Sequence, residues 1–464
     1  MLTIENVAAA IVGIDNKVPL LNGNAVRYIN FDNASSTPTL RPVLETLNAF
    51  MEWYSNIHRG TGFKSQLSTF YFDLGREIVA KFFNVNSKDH LVIFGKNGTE
   101  AINKLAHRVP LPEDSLVLVS KMEHHSNDLP WRFRKPVVHI DVDNMGRLDW
   151  NDYARKLEQY KGKVGMVAIT GASNVTGYIN DIYAIAELAH EYGAKVMIDA
   201  AQLAPHRSID IKPTGHPQHL DFLAFSAHKI YAPFGLGVLI ADRDTFKEGD
   251  PDIVGGGTVA LVSEDYAYWT DAPEKEEAGT PNIVGAIALA KALQAITEIG
   301  LNNIAEHETK LTRYALNKLR SIPDIIIYGS VDEEEADQRL GVISFNVQNK
   351  PHGLVSAILN YEGGVGVRNG CFCAHPYVKS LLGVTVEETK VLEEKILMHD
   401  RSTVPGAVRM SFGMYNSKEE IDSFAEVLQR IVNNEYKGKY EQYTKTGEYK
   451  PVGFEMNFHK YFEL

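Results

Sequence analysis

Short apolar runs alternate with amphipathic segments through the first two thirds of the chain, and this pattern predicts an α/β fold. The apolar runs are short enough for buried strands, and residues 181–192 between two of them show helical spacing, followed by Gly193 as a helix C-cap. Strands that alternate with amphipathic helices form a mainly parallel sheet covered on both faces. The predicted strands are residues 91–94, 115–119, 137–140, 164–169, 195–198, 221–225 and 237–240.

The pattern changes after about residue 282. Long helices are predicted over residues 284–298 and 302–320, followed by strands over 325–328 and 342–347 and a helix near 351–361. This order is typical of a smaller α+β domain packed on the large one. We therefore expect a large domain over residues 25–290 and a small domain over 291–432 that includes the N-terminal segment 1–24. Residues 433–464 form an extension whose role the sequence does not indicate.

Composition narrows the class of protein. The 464 residues carry a formal net charge of -12 without a long basic run, so we expect no nucleic-acid partner. No apolar run approaches the roughly 20 residues of a membrane helix, and no signal peptide is evident, so we expect no membrane partner and a cytoplasmic location. The only two cysteines, Cys371 and Cys373, exclude a disulfide-built fold, and with no second pair beside them we expect no metal site.

Residues with chemical potential follow three of the predicted strands. Lys229 comes just after residues 222–225, Asp199 directly follows residues 195–198, and Thr99 opens a helix after residues 91–94. Ligands of such sheets bind beyond the C-terminal ends of the strands, so these side chains are expected at one site. A lysine there captures a cofactor aldehyde such as pyridoxal 5'-phosphate, and an aspartate keeps the pyridine nitrogen protonated.

Ten short motifs carry a resemblance to a known family. They are residues 32–35 (DNAS), 58–60 (HRG), 98–103 (GTEAIN), 123–127 (EHHSN), 173–177 (SNVTG), 199–202 (DAAQ), 226–229 (SAHK), 279–282 (GTPN), 367–370 (VRNG) and 373–374 (CA). In order and spacing the chain resembles the SufS-like cysteine desulfurases of aminotransferase class V, over roughly residues 28–432. This resemblance implies the fold type I scaffold of pyridoxal-phosphate enzymes.

The resemblance also implies roles for individual residues. Lys229, Cys373 and His124 would be catalytic, with the His124 ring stacked on the pyridine. Arg409, Arg368, Asn174 and His58 would bind the substrate. The implied cofactor-binding residues are Gly98, Thr99, His124, Asn174, Asp199, Gln202, Ser226, His228, Lys229 and, from the other subunit of a homodimer, Thr280. On local sequence alone, Thr99 is as well explained as an ordinary helix N-cap, and His125 as a surface histidine.

The cysteine segment defines the implied chemistry. The Cys373 thiolate would attack the sulfur of L-cysteine, release alanine and keep a persulfide for an acceptor protein. Cys371 stands where SufS-like relatives carry a histidine, and with residues 406–413 (GAVRMSFG) it resembles molybdenum-cofactor sulfurases. The acceptor thus serves iron–sulfur cluster assembly or another sulfur-containing cofactor. If the loop is extended, both thiols point the same way and sulfur passes between them.

Two other readings stay open at this stage. The first is a different enzyme on the same scaffold, namely a selenocysteine lyase, an aminotransferase or an epimerase. The second is a non-catalytic sulfur-carrier or scaffold subunit that kept the fold. The joint presence of Lys229, Asp199 and Thr99 argues against the second reading.

Overall fold

The computed structural model describes residues 1–58 and 60–464; Arg59 of the predicted 58–60 motif lies outside the described residues. The α-helices are α1 Arg41–Met51, α2 Phe63–Phe82, α3 Gly98–Arg108, α4 His125–Arg132, α5 Trp150–Gln159, α6 Ile182–Glu191, α7 Ile283–Ile299, α8 Leu301–Ser321, α9 His352–Gly363, α10 His375–Leu381, α11 Val386–Leu397 and α12 Lys418–Val432. Short 3-10 helices cover Val7–Ala10, Ala227–Lys229, Arg243–Phe246, Glu274–Glu276, Glu334–Gln338 and Phe458–Lys460.

The strands are β1 Lys17–Pro19, β2 Ala25–Arg27, β3 Ile29–Asn30, β4 His90–Gly95, β5 Leu116–Ser120, β6 Val137–Ile140, β7 Val164–Thr170, β8 Lys195–Asp199, β9 Phe222–Ser226, β10 Gly237–Asp242, β11 Val259–Val262, β12 Ala267–Trp269, β13 Ile325–Tyr328, β14 Val342–Val347, β15 Val365–Gly366, β16 Arg368–Gly370, β17 Ala407–Ser411, β18 Tyr440–Gln442 and β19 Tyr449–Pro451. Each strand predicted from the apolar pattern is present, with ends shifted by one or two residues at most.

A seven-stranded sheet in the order β4-β10-β9-β8-β7-β5-β6 forms the centre of the molecule. Neighbours from β9 to β6 pair in parallel, whereas β10 runs antiparallel to both β9 and β4. The predicted α/β fold with a mainly parallel sheet is therefore confirmed. Pairing of Asp199 with Ala224 and of Thr170 with Asp199 brings the C-terminal ends of β7, β8 and β9 to one edge.

These strands are buried on both faces, which explains their continuous apolar sequences. All residues of β5 and β9 are buried, and α7 is packed so deeply that most of its residues belong to the core. A close contact at the edge of the sheet requires glycine: a Cβ atom on Gly237 would lie 2.1 Å from the carbonyl carbon of Asn97. The start of β10 thereby admits the first turn of α3 next to the sheet.

A second, antiparallel sheet in the order β13-β14-β17-β16 has its own core with α8, α9 and α12. The N-terminal segment contacts both layers, since Val7 and Ile11 belong to the core of the large sheet whereas the Leu21 amide donates to the Tyr361 carbonyl of α9. The domain boundaries given above stay a prediction.

Several elements had no counterpart in the sequence analysis, among them two helices after the cysteine loop and a hairpin in the C-terminal extension. Helices α10 and α11 lie between the cysteine loop and β17, and α11 has no buried residue. The extension after residue 432 forms the β18–β19 hairpin, and Tyr440 of that hairpin donates to Glu362 of α9. Among the described residues no single helix is long and apolar enough to cross a membrane; the bent pair α7–α8, with a 75° break, is the one combination that passes by length and composition.

Candidate active site

A cavity of about 450 Å³ opens where the C-terminal ends of β7, β8 and β9 face the small sheet. Its size lies in the range of cofactor and small-molecule sites. The cavity brings together twelve of the predicted residues: Gly98, Thr99, His124, Asn174, Asp199, Gln202, Ser226, His228, Lys229, Arg368, Cys373 and Arg409. Residues far apart in sequence thus meet at one place.

Two predicted residues lie outside this cavity. His58 is exposed, with its ring edge-on to Phe72 at 5.8 Å. Thr280 is also exposed and lines a separate cavity next to Glu276 and Asn282. Within one chain neither side chain joins the others. Thr280 was expected to act from the other subunit of a homodimer, and the roles of both residues stay predictions.

One end of the cavity is rich in hydroxyl and amide donors. The Gly98 N–H donates to Ser226 Oγ at 2.7 Å, and Thr99 Oγ1 lies 2.7 Å from Ser126 Oγ. Asn97 caps α3 by accepting the Glu100 N–H, so the reading of Thr99 as the N-cap is wrong and its hydroxyl faces the cavity instead. Hydroxyls gathered at a helix N-terminus suit a phosphate group.

The middle of the cavity holds a carboxylate and an imidazole. Burial raises the pKa of Asp199, against the opposing effects of the Ala201 N–H bond and the Lys229 charge. His124 Nδ1 accepts the Ser126 N–H at 3.1 Å, so the neutral ring carries its proton on Nε2. Burial, assisted by the Lys229 charge, lowers the pKa of His124 to about 3 and keeps the ring uncharged.

Lys229 ends the 3-10 helix Ala227–Lys229, which directly follows β9. Burial lowers the pKa of its amine to about 8, although the negative charge of Asp199 opposes this shift. Burial and the Lys229 charge also lower the pKa of the adjacent His228 to about 4. A lysine with this pKa is neutral in a substantial fraction of molecules near neutral pH and is therefore a competent nucleophile.

Taken together, these groups fit pyridoxal 5'-phosphate by their chemistry. The hydroxyls around Gly98 and Thr99 suit its phosphate, Asp199 suits its ring nitrogen, and the neutral His124 suits its ring face. A Cβ atom on Gly98 would lie 2.8 Å from Ser226 Oγ, so the α3 backbone and the Ser226 hydroxyl approach each other closely at the phosphate end. Gln202 Nε2 donates to the Ala34 carbonyl at 2.7 Å, which fixes its side chain at the cavity wall.

Two arginines from the small sheet form the opposite wall. Arg409 of β17 and Arg368 of β16 are cross-strand partners. Arg409 is only 2% exposed; it donates to the Asn174 carbonyl, Asp32 Oδ1 and Ser35 Oγ, at 2.9, 3.0 and 2.8 Å. Its Nε is buried and has no hydrogen-bond partner among the described residues. The pair presents guanidinium groups suited to a carboxylate.

Asp32 is a site residue that the sequence analysis did not single out. Its carboxylate joins both arginines, because Oδ1 accepts from Arg409 and Oδ2 lies 3.2 Å from Arg368 Nε. Asp32 lies in the matched segment 32–35, so the motif was the available signal. Only the fold showed that this carboxylate bridges the two arginines.

The cysteine loop is turned rather than extended, so the condition under which both thiols were expected to point the same way is not met. Phe372 and Cys373 have φ values of 52° and 55°, which places both in the left-handed region. The Cys371 thiol is buried and donates to the Pro405 carbonyl, and burial raises its pKa to about 11. Cys373 is exposed and lines the cavity. The two cysteines therefore occupy different environments.

Hydrogen bonds from the large domain hold this loop. Asn174 Nδ2 donates to the Phe372 carbonyl at 2.7 Å, and the His125 N–H donates to the Cys373 carbonyl at 2.7 Å. The His125 ring also accepts the His375 N–H at 3.2 Å. His125, which local sequence left as a surface histidine, thus positions the cysteine loop.

The comparison with known families agrees with this arrangement. The sequence profile of the family described as Aminotransferase class-V matches residues 29–424. The chain belongs to the aminotransferase class-V family. The matched range includes every predicted site residue, and it contains both sheets that build the cavity.

Individual members of this family give the same result. The chain is 34% identical over 442 residues to a cysteine desulfurase of Klebsiella pneumoniae, covering 92% of this chain and 98% of the relative. It is 33% identical over 420 residues to a probable cysteine desulfurase of Halalkalibacterium halodurans, covering 88% and 94%. The apo structure of a cysteine desulfurase from Thermococcus onnurineus NA1 superimposes with a TM-score of 0.80 at 31% identity, covering 94% of this chain and 99% of that one.

We expect Lys229→Ala to abolish covalent attachment of pyridoxal phosphate, because no other lysine lines the described cavity. Mass spectrometry after borohydride reduction measures the attachment. Lys96→Ala is the matched control. Lys96 lies just before α3 with an exposed amine, so its substitution should leave the attachment unchanged. A reducible cofactor link that survives in the Lys229 variant would overturn the assignment.

We further expect cofactor attachment to follow the lowered pKa of Lys229. Below pH 8 the neutral fraction of an amine with a pKa of about 8 rises roughly tenfold per pH unit, and it levels off above that pH. The attachment rate of the apoprotein, trapped with borohydride at pH 6 to 10, should show this plateau. N-acetyl-lysine amide serves as the control and should keep rising. If the attachment rate of the protein keeps rising up to pH 10 as that of the control does, the pKa of Lys229 is not lowered.

Proposed function

We propose that this chain is a pyridoxal-phosphate-dependent cysteine desulfurase that converts L-cysteine into L-alanine and leaves a persulfide on Cys373. The observation that carries the proposal is the meeting of Lys229, Arg409 and Cys373 in one cavity. An amine for the cofactor, a guanidinium for an amino-acid carboxylate and an exposed thiol together suit this reaction. Named cysteine desulfurases among the similar proteins support it.

The bound cofactor supplies an electron sink for bonds at the substrate's α-carbon. Arg409 and Arg368 bind the substrate carboxylate and thereby fix the orientation of the cysteine side chain. Asp32 offsets one of the two positive charges before substrate binds, which leaves one net positive charge for the substrate carboxylate. Asn174, whose carbonyl accepts from Arg409 and whose amide holds Phe372, couples the carboxylate site to the cysteine loop.

Cys373 accepts the sulfur. Its thiolate forms an S–S bond with the substrate sulfur, the substrate Cβ–S bond breaks, and the carbon fragment receives a proton to become alanine. Lys229 is able to carry this proton near neutral pH, because burial lowers the pKa of its amine to about 8. We assign the neutral His124 to the face of the cofactor ring, because burial lowers its pKa to about 3 and keeps it uncharged. The Cys373 persulfide is then exposed at the protein surface, within reach of an acceptor protein.

The destination of the sulfur belongs to the same proposal. The acceptor serves iron–sulfur cluster assembly or another sulfur-containing cofactor, and the reaction takes place in the cytoplasm. The exposure of Cys373 supports direct transfer to a protein acceptor. The buried, high-pKa thiol of Cys371 supports a structural role for that cysteine in place of a relay.

We expect the two cysteines to differ on substitution. Cys373→Ser should lose persulfide formation and sulfide release, because the exposed thiol at the cavity is gone. Cys371→Ser, the matched control two residues away, should keep most of the activity. Mass spectrometry after brief exposure to cysteine without reductant locates the added sulfur atom, which raises the mass of the modified cysteine by about 32 Da. If the extra sulfur is found on Cys371 and persists in the Cys373 variant, Cys373 is not the nucleophile.

We expect Arg409→Lys to raise KM for cysteine about tenfold or more, because a point charge replaces a planar fork that binds carboxylates bidentately. Arg368→Lys should cause a smaller rise, since Arg368 is about half exposed. Circular dichroism checks that the variants fold. An unchanged KM in folded Arg409→Lys would contradict its assignment as the main carboxylate ligand.

We propose a homodimer that completes the site. The exposed hairpin β11–β12 carries the apolar side chains Leu261, Val262, Tyr266 and Tyr268, and such patches mark interaction surfaces. The position of Thr280 outside the cavity of its own chain supports the same assembly. Light scattering should give twice the chain mass of 51.7 kDa. Leu261→Glu should shift the protein toward monomer, whereas an active wild-type monomer at assay concentration refutes the dimer.

A further inference from the structure

A cluster of two histidines and an aspartate lies at the end of the sheet opposite the cavity. His190 stands near the C-terminus of α6, Asp221 directly precedes β9, and His219 comes two residues earlier. Their ligand atoms all lie within 4.8 Å of one another. From Asp221, β9 runs about 17 Å to its other end, near Lys229. The cluster is therefore separate from the catalytic groups.

Backbone contacts fix the tautomers of both histidines. His190 Nδ1 lies 2.7 Å from the Pro217 carbonyl, and His219 Nδ1 lies 3.0 Å from the His216 carbonyl. A carbonyl oxygen only accepts, so both Nδ1 atoms carry protons. In each neutral ring the Nε2 lone pair then faces Asp221. Metal-binding histidines are typically oriented by such an Nδ1–H bond to a backbone carbonyl.

The two lone pairs meet the same carboxylate. His190 Nε2 lies 2.9 Å from Asp221 Oδ2, and His219 Nε2 lies 3.4 Å from Asp221 Oδ1. A lone pair that faces a carboxylate oxygen at this distance is repelled unless a proton or a cation stands between them. A single metal ion satisfies both lone pairs and the carboxylate at once.

The charged groups around the cluster also favour the binding of a cation. Asp221 and Asp242 are two carboxylates with one lysine between them, since Lys195 lies 3.6 Å from Asp221 and 3.0 Å from Asp242. His90, the other titratable group beside Asp242, is fully buried, and burial lowers its pKa toward the neutral form. The Asp221 side chain is 5% exposed, so the net negative charge is poorly hydrated.

We propose that His190, His219 and Asp221 form a zinc site that is independent of the catalytic reaction. Ligands at about 2.0–2.2 Å around a tetrahedral ion lie roughly 3.3–3.6 Å apart. The His219–Asp221 distance of 3.4 Å falls in this range, and the His190–Asp221 distance of 2.9 Å is shorter, so these two groups move slightly apart when the ion binds. The two rings are stacked at 19° with 4.4 Å between their centroids, so one ring turns when the ion binds. Water takes the fourth position, because the histidine side chains remain 19% and 12% exposed.

The ion would fasten an irregular segment to the sheet. Residues 212–220 form no regular element, and within them His219 connects to α6 and to β9 through the cluster. No metal site was expected from the sequence, because only the two cysteines were considered there. The proposed site lies away from them. The ion holds structure and takes no part in desulfuration.

The test is zinc binding by the chelator-treated holoenzyme, measured by isothermal titration calorimetry and metal analysis. Wild type should bind one Zn²⁺ per chain and melt at a higher temperature with zinc. His190→Gln and His219→Gln should weaken zinc binding at least tenfold, since glutamine still donates to Asp221 but is a poor zinc ligand. His216→Ala, an exposed histidine of the same segment, is the matched control and should bind normally.

A second experiment separates this site from the exposed thiol. Cys373→Ser should keep the bound ion, and Co²⁺ in the wild-type protein should give visible bands of a tetrahedral site without a sulfur charge-transfer band. The proposal is overturned if Cys373→Ser alone abolishes zinc binding. It is equally overturned if wild type binds no more zinc than the His190→Gln/His219→Gln double variant, because protons then occupy the two Nε2 atoms.

Discussion

The parallel pairing of β8 and β9 is the constraint on which the site depends. Parallel neighbours end at the same edge of a sheet, so the residues that follow them are brought together whatever their distance in sequence. Asp199 ends β8 and Lys229 follows β9, with Asp199 in register with Ala224. Burial at this edge lowers the pKa of the amine to about 8 and raises that of the carboxyl, because neither charge is well hydrated there.

The small sheet contributes the two arginines of the site. Its strands β16 and β17 place two arginines opposite Lys229, and Asp32 from the segment between β3 and α1 bridges them and offsets one of their two charges. Asn174 joins the two halves, since its backbone carbonyl accepts from Arg409 and its side-chain amide donates to the Phe372 carbonyl of the cysteine loop. Substrate selection and sulfur capture are therefore mechanically connected through a few hydrogen bonds.

The sequence predicted those features that depend on local pattern. Apolar runs located β8 and β9 within one residue, and strand ends identified Asp199 and Lys229 as neighbours. Features that depend on contacts between distant segments were not predicted from the sequence. The bridging carboxylate of Asp32 and the anchoring of the cysteine loop by His125 each require knowledge of which segments meet. The capping of α3 by Asn97 is a local bond, and there the cap was assigned to the wrong residue from the sequence. The left-handed φ values of Phe372 and Cys373 were also not predicted, because neither residue type favours that region of backbone space.

The central claim is that one cavity both cleaves cysteine and receives its sulfur. The most direct measurement quantifies alanine and sulfide together when the purified, cofactor-loaded protein turns over L-cysteine with excess reductant. The account predicts the two products in equal amounts over many turnovers. Pyruvate in place of alanine, or amino-group transfer to an oxo acid without sulfide release, would show that the scaffold performs a different reaction and would contradict the account.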